Sequence, residues 1–265
     1  MSGLSRIGSV NHAGYNNMAT KAAEKNSQRL ASGKRINSAA DDAAGLAIAK
    51  KLEKEIRGLS AGSENITMGL SATKVADGAM SGITDYLQDI REVGIRAMNG
   101  LYSDSDRQAM QQQVNGYLDG IMQMAKGTQF NTHTLLDGSM ATMDIASNPD
   151  GTGMKIQMAN STLEGLGLAG FSVMGDIDFD ALDNAMTKVS EARSKLGASM
   201  NGLEHAYSYN AIATENQVAS QSRLEDLDMA KAVSEQQKNK TLQTYRIMMQ
   251  KRQMEEDGMV TRLFR

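Results

Sequence analysis

The six residues from Gly165 to Gly170 read Gly-Leu-Gly-Leu-Ala-Gly and match the GxGxxG pattern of dinucleotide-binding loops. Such a loop binds a pyrophosphate only between a strand and the helix that follows it, inside a βαβ unit. Here the polar residues 160–162 precede the pattern and the non-helical Phe-Ser-Val of 171–173 follows it. The pattern therefore predicts no nucleotide site, and the segment is interpreted as a mobile surface loop.

Three aspartates, Asp176, Asp178 and Asp180, alternate as at the start of a calcium-binding loop. That loop requires Gly at its sixth position and Glu at its twelfth, to make the sharp turn and to close the coordination sphere. The residues at these positions are Ala181 and Thr187. The aspartates are better explained as caps of a helix that begins near Asp180.

The histidines, His12, His133 and His205, are isolated from one another in the sequence. None belongs to an HExxH zinc helix, the chain has no cysteine as a soft ligand, and no GxSxG nucleophile motif is present. We therefore predict no catalytic residue, no metal and no cofactor, and expect the chain not to be an enzyme.

The composition of the 265 residues favours helices. The chain has no Cys, no Trp and one Pro. Aromatic residues make up 4 % of it, and there are 20 Met residues. A core of Ala, Leu, Ile, Val and Met suits helix-on-helix packing, because strands rely more on aromatic and β-branched residues. Proline, which usually interrupts helices, is almost missing. The composition predicts a mainly α fold.

Charge and hydropathy exclude two classes of partner. There are 28 basic and 31 acidic residues, so the formal charge of −3 does not suggest nucleic acid. No window approaches 18 consecutive apolar residues, so no membrane partner is expected. The first residues contain no apolar signal core, which by itself is typical of a cytoplasmic protein.

Periodicity predicts the order of the elements. Apolar residues recur every three, four or seven positions between Ala39 and about Asn99, which indicates one very long helix. Ser103 is expected to cap a second helix. Alternation in 143–145 and 154–158, around a turn that contains the only proline, predicts a β-hairpin. Neither Gly nor Pro occurs between Leu203 and Asp257, so this stretch is predicted to be one continuous helix.

We therefore expect an antiparallel bundle or coiled coil of long helices, with a small β-hairpin at the distal end. A monomer of this size cannot bury the apolar face of such a long final helix along its whole length. That face needs the N-terminal helices or other chains as partners.

A family resemblance rests on motifs at both ends of the chain. Residues 29–50 read RLASGKRINSAADDAAGLAIAK, which resembles the N-terminal signature RLSSGxRINSAxDDAAGLAIA of bacterial flagellins. Residues 128–131 and 135–138 continue the likeness. Residues 196–206, LGASMNGLEHA, and the segment from Glu215 to Ala230 are similar to the C-terminal flagellin pattern. The motifs are long, occur in the right order, and together cover about three quarters of the chain.

The resemblance implies a filament subunit exported through the flagellar type III apparatus without a cleaved signal, and hence an extracellular protein of the flagellum. It implies inner-core helices at 1–40 and 226–265, an outer-core helical domain at 41–133 and 177–225, and a β-hairpin with a surface loop at 134–176. No separate outer domain fits between them, so a thin and smooth filament is expected. The implied partners are other copies of the subunit, a flagellar export chaperone, the filament cap protein and the hook–filament junction protein.

The residues expected at the assembly interface are apolar and lie near both ends. Free termini with so little to bury are expected to order only on polymerisation. The sequence departs from the family near the C-terminus, where 248–253 reads MMQKRQ and the last three residues are LFR, so Met is expected to pack where relatives use Leu or Ala. The candidates are Leu4, Ile7, Val10, Leu30, Ile36, Leu242, Ile247, Met248, Leu263 and Phe264.

Flagellins that the host Toll-like receptor senses carry a receptor-facing helix that resembles LQRVRELAVQ. The corresponding segment, 87–96, has Asp89 where Arg is usual and Val93 where Leu is usual, and Gln113 stands where Glu is frequent on the next helix. Two interpretations of these substitutions stay open: they weaken receptor signalling, or they only alter the charges of a solvated helix face. The receptor-facing candidates are Gln88, Asp89, Arg91, Glu92, Val93 and Gln113.

One alternative to a filament subunit stays open, and two others are argued against. The hook–filament junction protein is a relative of the same structural class. A flagellin with an enzymatic insert would need more than the forty or so residues of the middle segment. A secreted coiled-coil adhesin would not require the motif match at both ends.

Overall fold

The computed structural model describes Met18 and residues 20–263 of the chain. The chain divides into two compact units: unit 1 consists of residues 1–54 and 216–265, and unit 2 of residues 55–215. The elements in order are α1 (20–32), α2 (Ala43–Ala97), α3 (Asp104–Gly127), β1 (Gln129–Phe130), β2 (His133–Thr134), β3 (Thr142–Ile145), β4 (Met154–Gln157), α4 (Leu163–Leu166), α5 (Phe179–Glu225) and α6 (Met229–Leu263). The mainly α fold with long helices is confirmed.

The helix starts follow local capping rules. At α3, the Ser103 side chain accepts the Asp106 N–H while the Asp106 carboxylate accepts the Ser103 N–H, so the predicted cap is confirmed as a full capping box. The predicted start of α5 is shifted. The Ala181 N–H donates to Asp178 Oδ1 over 2.8 Å, so Asp178 acts as the cap and the helix already begins at Phe179.

The prediction of an unbroken helix from Leu203 to Asp257 is wrong. Helix α5 ends at Glu225 and α6 begins at Met229. The chain leaves the helix because Asp226 pairs with Lys34 in an antiparallel bridge. Asp228 then restarts it, since its Oδ1 accepts the Lys231 N–H over 3.0 Å. A long-range pairing thus overrides a local sequence that contains no helix breaker.

Two antiparallel hairpins follow α3. The predicted hairpin is confirmed as β3 and β4, in which Met143 lies opposite Ile156. The second, β1 and β2, was not predicted because each strand has only two residues. Its turn places Asn131 and Thr132 at positive φ, at 46° and 69°. Asn tolerates this conformation, whereas a β-branched Thr rarely adopts it.

One hydrophobic core fills unit 2. The stripe predicted on α2 supplies its largest part, and buried residues of α3 and α5 complete it at the same helical spacing. The segment with the GxGxxG pattern also belongs to this core, since Leu166, Leu168, Phe171 and Val173 are buried. Its interpretation as a mobile surface loop is wrong, because the glycines separate apolar residues that anchor the segment to the helices.

Candidate assembly surfaces

The two sequence-distant parts of unit 1 meet at a short backbone pairing, here called the terminal joint (residues 33–35 and 224–227). The Arg35 N–H donates to the Glu225 carbonyl over 2.6 Å, and the Leu227 N–H donates to the Gly33 carbonyl over 2.9 Å. The Arg35 guanidinium donates to the Leu224 carbonyl over 2.7 Å. The pairing satisfies backbone groups that the end of α5 would otherwise leave without partners.

A charged side chain closes the terminal joint. Glu225 is buried, and its Oε1 lies 2.9 Å from Lys34 Nζ. Its other oxygen accepts a hydrogen bond from the Gln221 amide over 3.1 Å. Because both oxygens have partners, the carboxylate tolerates burial. On the far side of the joint, the buried Asn26 of α1 donates to the Ala232 carbonyl of α6 over 3.0 Å.

A second polar cluster lies where the chain turns from α1 towards α2. Asp41 lies 2.5 Å from Lys25 Nζ and 3.6 Å from an Arg29 nitrogen. Its Oδ2 also accepts the backbone N–H groups of Asn37 and Ser38, at 3.2 and 3.3 Å. The Lys25 ammonium, followed by these N–H donors, lowers the pKa of the Asp41 carboxyl to about 2.

The apolar core of unit 1 is thin. Among the described residues of this unit, the buried apolar side chains are those of Ile36, Ala49 and Ala232. Unit 2, in contrast, buries a continuous set of large Leu, Ile and Met side chains. Unit 1 therefore draws little stabilisation from burial within its own described residues.

Helix α6 carries large apolar side chains that remain in solvent. At 100° per residue they fall on two faces. Face A holds Leu242, Tyr245, Met248, Met249 and Met259, and face B holds Ile247 and Met254. Their exposed fractions run from 40 % at Leu242 to 64 % at Met254. Apolar residues on two opposite sides of a helix are typical of a helix that packs against neighbours on both sides.

The predicted interface residues are therefore only partly brought together. Leu242, Ile247 and Met248 lie exposed on α6, and Leu30 is half-buried on α1. Ile36 must be corrected, because it is 3 % exposed and packs within the chain, with its Cδ1 next to Gly45. The candidates Leu4, Ile7, Val10 and Phe264 lie outside the described residues, and Leu263 is the last residue of α6.

The receptor-facing candidates divide into three kinds. Gln88, Asp89 and Glu92 are exposed on α2. Arg91 is half-buried and forms an ion pair with Asp183 of α5. The remaining two candidates are Val93 on α2 and Gln113 on α3.

Val93 is 1 % exposed and belongs to the core of unit 2, so its place in the predicted receptor face is corrected. A helix that packs one side against a core must turn one residue in three or four inward, and Val93 follows Ile90 by three. Gln113 is exposed on α3, where its amide donates to the Tyr117 hydroxyl over 2.8 Å.

The described residues contain no group of three or more His, Asp or Glu side chains arranged to hold a metal ion. His133 and His205 are both exposed and belong to different elements. Across residues 20–263, no helix combines the length and apolarity needed to cross a membrane.

Comparison with known proteins places the chain among structural proteins of the bacterial flagellum. Residues 7–141 match the family described as the bacterial flagellin N-terminal helical region, and residues 179–264 match its C-terminal helical region. The chain belongs to the bacterial flagellin family. Members of this family are structural proteins of the extracellular flagellar filament, so the chain is not an enzyme.

Individual relatives agree with the family assignment. The chain is 35 % identical to the flagellar filament 30.7 kDa core protein of Treponema maltophilum, over 82 % of this chain and 83 % of that protein. It is 33 % identical to a flagellin of Bacillus subtilis (strain 168), over 90 % of both.

Two solved structures share the fold. The Bacillus cereus flagellin crystal structure superposes with a TM-score of 0.51 at 21 % identity, over 56 % of this chain and 88 % of that one. A putative flagellar hook-associated protein from Vibrio parahaemolyticus gives a TM-score of 0.59 at 15 % identity, over 70 % and 100 %.

The terminal joint and the polar contacts that hold the β3–β4 turn were not predicted from the sequence. Asn65 of α2 donates to the Ala146 carbonyl over 2.9 Å, and Asn210 of α5 donates to the Ser147 carbonyl over 2.8 Å. One signal was available for Asn210, since a polar residue interrupts the buried side of α5 there. Nothing in the sequence indicated that the Ser147 carbonyl would accept the hydrogen bond from Asn210.

Proposed function

We propose that this chain polymerises with copies of itself into the flagellar filament through unit 1, and that α6 supplies the main apolar contacts. The observation that carries the proposal is the pair of exposed apolar faces on α6, a helix of the unit whose own core is thin. A fully buried Leu, Ile or Met side chain contributes about 1.5–3 kcal/mol relative to an exposed one. Faces A and B together hold six such residues and Tyr245, so burying them offsets a large cost of association.

The two faces also indicate the kind of contact. A single face would be satisfied by one neighbouring helix, whereas faces on opposite sides require two neighbours. Contacts that join different surfaces of identical subunits do not close into a ring unless the rotation happens to fit, and so they grow into a helical polymer. In this assembly 1–40 and 226–265 form the inner core, while 41–133 and 177–225 form the outer-core domain.

The experiment compares polymerisation of variants of each face. Leu242→Asn with Met249→Asn alters face A, and Ile247→Asn with Met254→Asn alters face B. The matched controls are Leu242→Met with Met249→Leu and Ile247→Leu with Met254→Leu. We expect both Asn variants to lose seeded polymerisation, measured by sedimentation and electron microscopy, and both controls to retain it. Normal polymerisation of both Asn variants would overturn the proposal.

The segment 134–176 supports a filament without a separate outer domain. Its buried residues Leu135, Leu136 and Ile156 belong to the same core as α2 and α5. The segment is thus part of unit 2 and does not form a further domain. A thin and smooth filament is the expected result, and the filament diameter in electron micrographs tests it.

The export route and the accessory partners are part of the same proposal. We expect export through the flagellar type III apparatus, with an export chaperone in the cell and with the cap and the hook–filament junction protein at the filament ends. The support is membership of the family alone. Loss of the chain from culture supernatants of a strain that lacks the export apparatus tests the route.

A weakened interaction with the host Toll-like receptor is proposed for the face that contains Gln88, Asp89 and Glu92. All three are exposed, and Asp89 introduces an acidic group where relatives that signal carry Arg. Asp89→Arg should raise signalling in a receptor reporter assay, and Asp104→Arg, at the exposed start of α3, serves as the charge-matched control. Equal signalling by the unchanged chain and by a typical flagellin would contradict the proposal.

The hook–filament junction protein is the second candidate. The fold shared with the Vibrio parahaemolyticus protein favours it, although that similarity concerns the fold alone. A filament subunit is present in far more copies per flagellum than a junction subunit. Quantification of the chain by mass spectrometry of purified flagella therefore separates the two.

A further inference from the structure

The connection between α2 and α3 contains an Asn-Gly pair in an irregular, exposed turn. Asn99 and Gly100 lie between the end of α2 at Ala97 and the start of α3 at Asp104, and both are exposed. Asn-Gly is the dipeptide most prone to self-reaction of its amide, because glycine has no side chain to hinder attack by its backbone nitrogen. We propose that Asn99 is a site of spontaneous deamidation in this protein.

The reaction needs no other reagent than water. The Gly100 nitrogen attacks the Asn99 side-chain carbonyl carbon, a new C–N bond closes a five-membered succinimide, and the amide nitrogen leaves as ammonia after the attacking nitrogen gives up its proton. Water then opens the ring at either carbonyl. The products are aspartate, or isoaspartate in which the main chain runs through the former side chain.

The local hydrogen bonds favour the first step. Within the described chain the Gly100 N–H has no hydrogen-bond partner, so no bond has to break before that nitrogen attacks. The Leu101 N–H donates to Asn99 Oδ1 over 3.1 Å. As the carbonyl is attacked, negative charge develops on this oxygen, and a donor that is already in place stabilises it.

Two other Asn-Gly pairs serve as controls inside the same molecule. Asn115-Gly116 lies within α3, and Asn201-Gly202 lies within α5. In a helix the glycine N–H is bonded to the carbonyl four residues earlier, and the rigid backbone keeps it away from the side-chain carbonyl. The dipeptide chemistry is identical in all three places, so only the conformation distinguishes Asn99.

The modification changes the end of α2. It places a carboxylate in the turn where the Asn99 N–H donates to the Arg96 carbonyl, at the negative end of the helix dipole. The new charge also stands beside the exposed apolar side chains of Met98 and Leu101, of which Leu101 is 91 % exposed. Deamidation thus adds a negative charge next to two exposed apolar side chains.

The test incubates the full chain, as subunits, in mildly alkaline buffer and follows each Asn-Gly pair by peptide mass spectrometry. Enzymatic methylation of isoaspartate identifies the second product. We expect Asn99 to react at least about tenfold faster than Asn115 or Asn201, which corresponds to about 1.4 kcal/mol of activation free energy. In urea that unfolds the chain, the three rates should converge, because the dipeptides are the same.

Gly100→Ala is the matched variant. A Cβ at Gly100 meets nothing within 4 Å and its φ is not positive, so Ala fits the turn without strain. It should suppress the reaction at Asn99 and leave Asn115 and Asn201 unchanged. Similar rates at all three sites in the folded chain, or an unchanged rate at Asn99 in the Gly100→Ala variant, would overturn the proposal.

Discussion

Asn210 of α5 donates a hydrogen bond from its side-chain amide to the backbone carbonyl of Ser147, over 2.8 Å, in a place where both residues are buried. The bond attaches the turn of the β3–β4 hairpin to a helix that is 63 residues away in the chain. On the opposite side, Asn65 of α2 binds the neighbouring Ala146 carbonyl. The turn is therefore held by both long helices of unit 2.

Replacing Asn210 tests the strength of this attachment. Asn210→Ala leaves the Ser147 carbonyl buried without this donor, so we expect a loss of about 1–3 kcal/mol in the free energy of unfolding. Urea unfolding followed by circular dichroism measures it. Asn216→Ala, at an exposed position of the same helix, should change the free energy by less than about 0.5 kcal/mol. Equal effects of the two substitutions would show that the bond contributes nothing.

Gly62 permits the close contact between α2 and the same turn. A Cβ at this position would collide with the Ser147 carbonyl, which is backbone and cannot move away independently. We expect Gly62→Ala to destabilise unit 2 by about 1–3 kcal/mol, as overpacking of a core does.

Gly78 is the matched control in α2, because a Cβ there meets nothing within 4 Å. Gly78→Ala should stabilise the protein by about 1 kcal/mol, since Ala has the higher helix propensity. Thermal unfolding of the two variants should therefore shift in opposite directions. A shift in the same direction for both would contradict the proposed steric role of Gly62.

Asp41 should make the stability of unit 1 depend on pH. Its folded pKa of about 2 lies below the ordinary value of 3.8 because Lys25 and two backbone N–H groups bind the carboxylate. A lowered folded pKa stabilises the folded state fully above the ordinary value, and this contribution is lost as the pH falls towards about 2.

The measurement compares the unchanged chain with Asp41→Asn. At neutral pH the variant should unfold at a lower temperature, and the difference should shrink as the pH is lowered from 3.8 towards 2. Circular dichroism melts over this range give both values. A difference that stays constant with pH would mean that the charge of Asp41 does not stabilise the fold.

Lys34 should contribute more to the stability of the fold than its surface exposure suggests, because its partner Glu225 is buried. Lys34→Met leaves that carboxylate with the Gln221 amide and without a cation. Since the Lys34 side chain is 46 % exposed, solvent screens the pair, and we expect a loss of about 1 kcal/mol.

Hydrogen exchange of the Arg35 and Leu227 amides reports on the terminal joint directly, because both are bonded across it. Protection of these amides should fall in Lys34→Met. Lys50→Met, which removes the exposed Lys50–Glu53 pair of α2, should leave it unchanged. Unaltered protection in both variants would exclude a role for the Lys34–Glu225 pair in the joint.

Much of the local structure follows from local rules. The long α2 stripe, the cap at Ser103 and the β3–β4 hairpin could all be predicted, since helical spacing, capping residues and alternation act over a few residues. The cap of α5 was predicted two residues too late, because Asp178 and Asp180 are equally good caps by type. The short hairpin β1–β2 was missed because two residues per strand show no alternation.

The sequence by itself determined which segments become helices, which faces of them are apolar, and which family the chain belongs to, because these properties reside in residue type and short-range spacing. Only the tertiary structure decided where the last helix breaks, that Ile36 and Val93 point inward, and that the glycine-rich segment is buried. Each of these depends on a partner far away in the chain: Lys34 for Asp226, the core of unit 2 for Val93, the long helices for Leu168. The free energy of such a contact outweighs the local secondary-structure propensity, and no local sequence pattern identifies the distant partner.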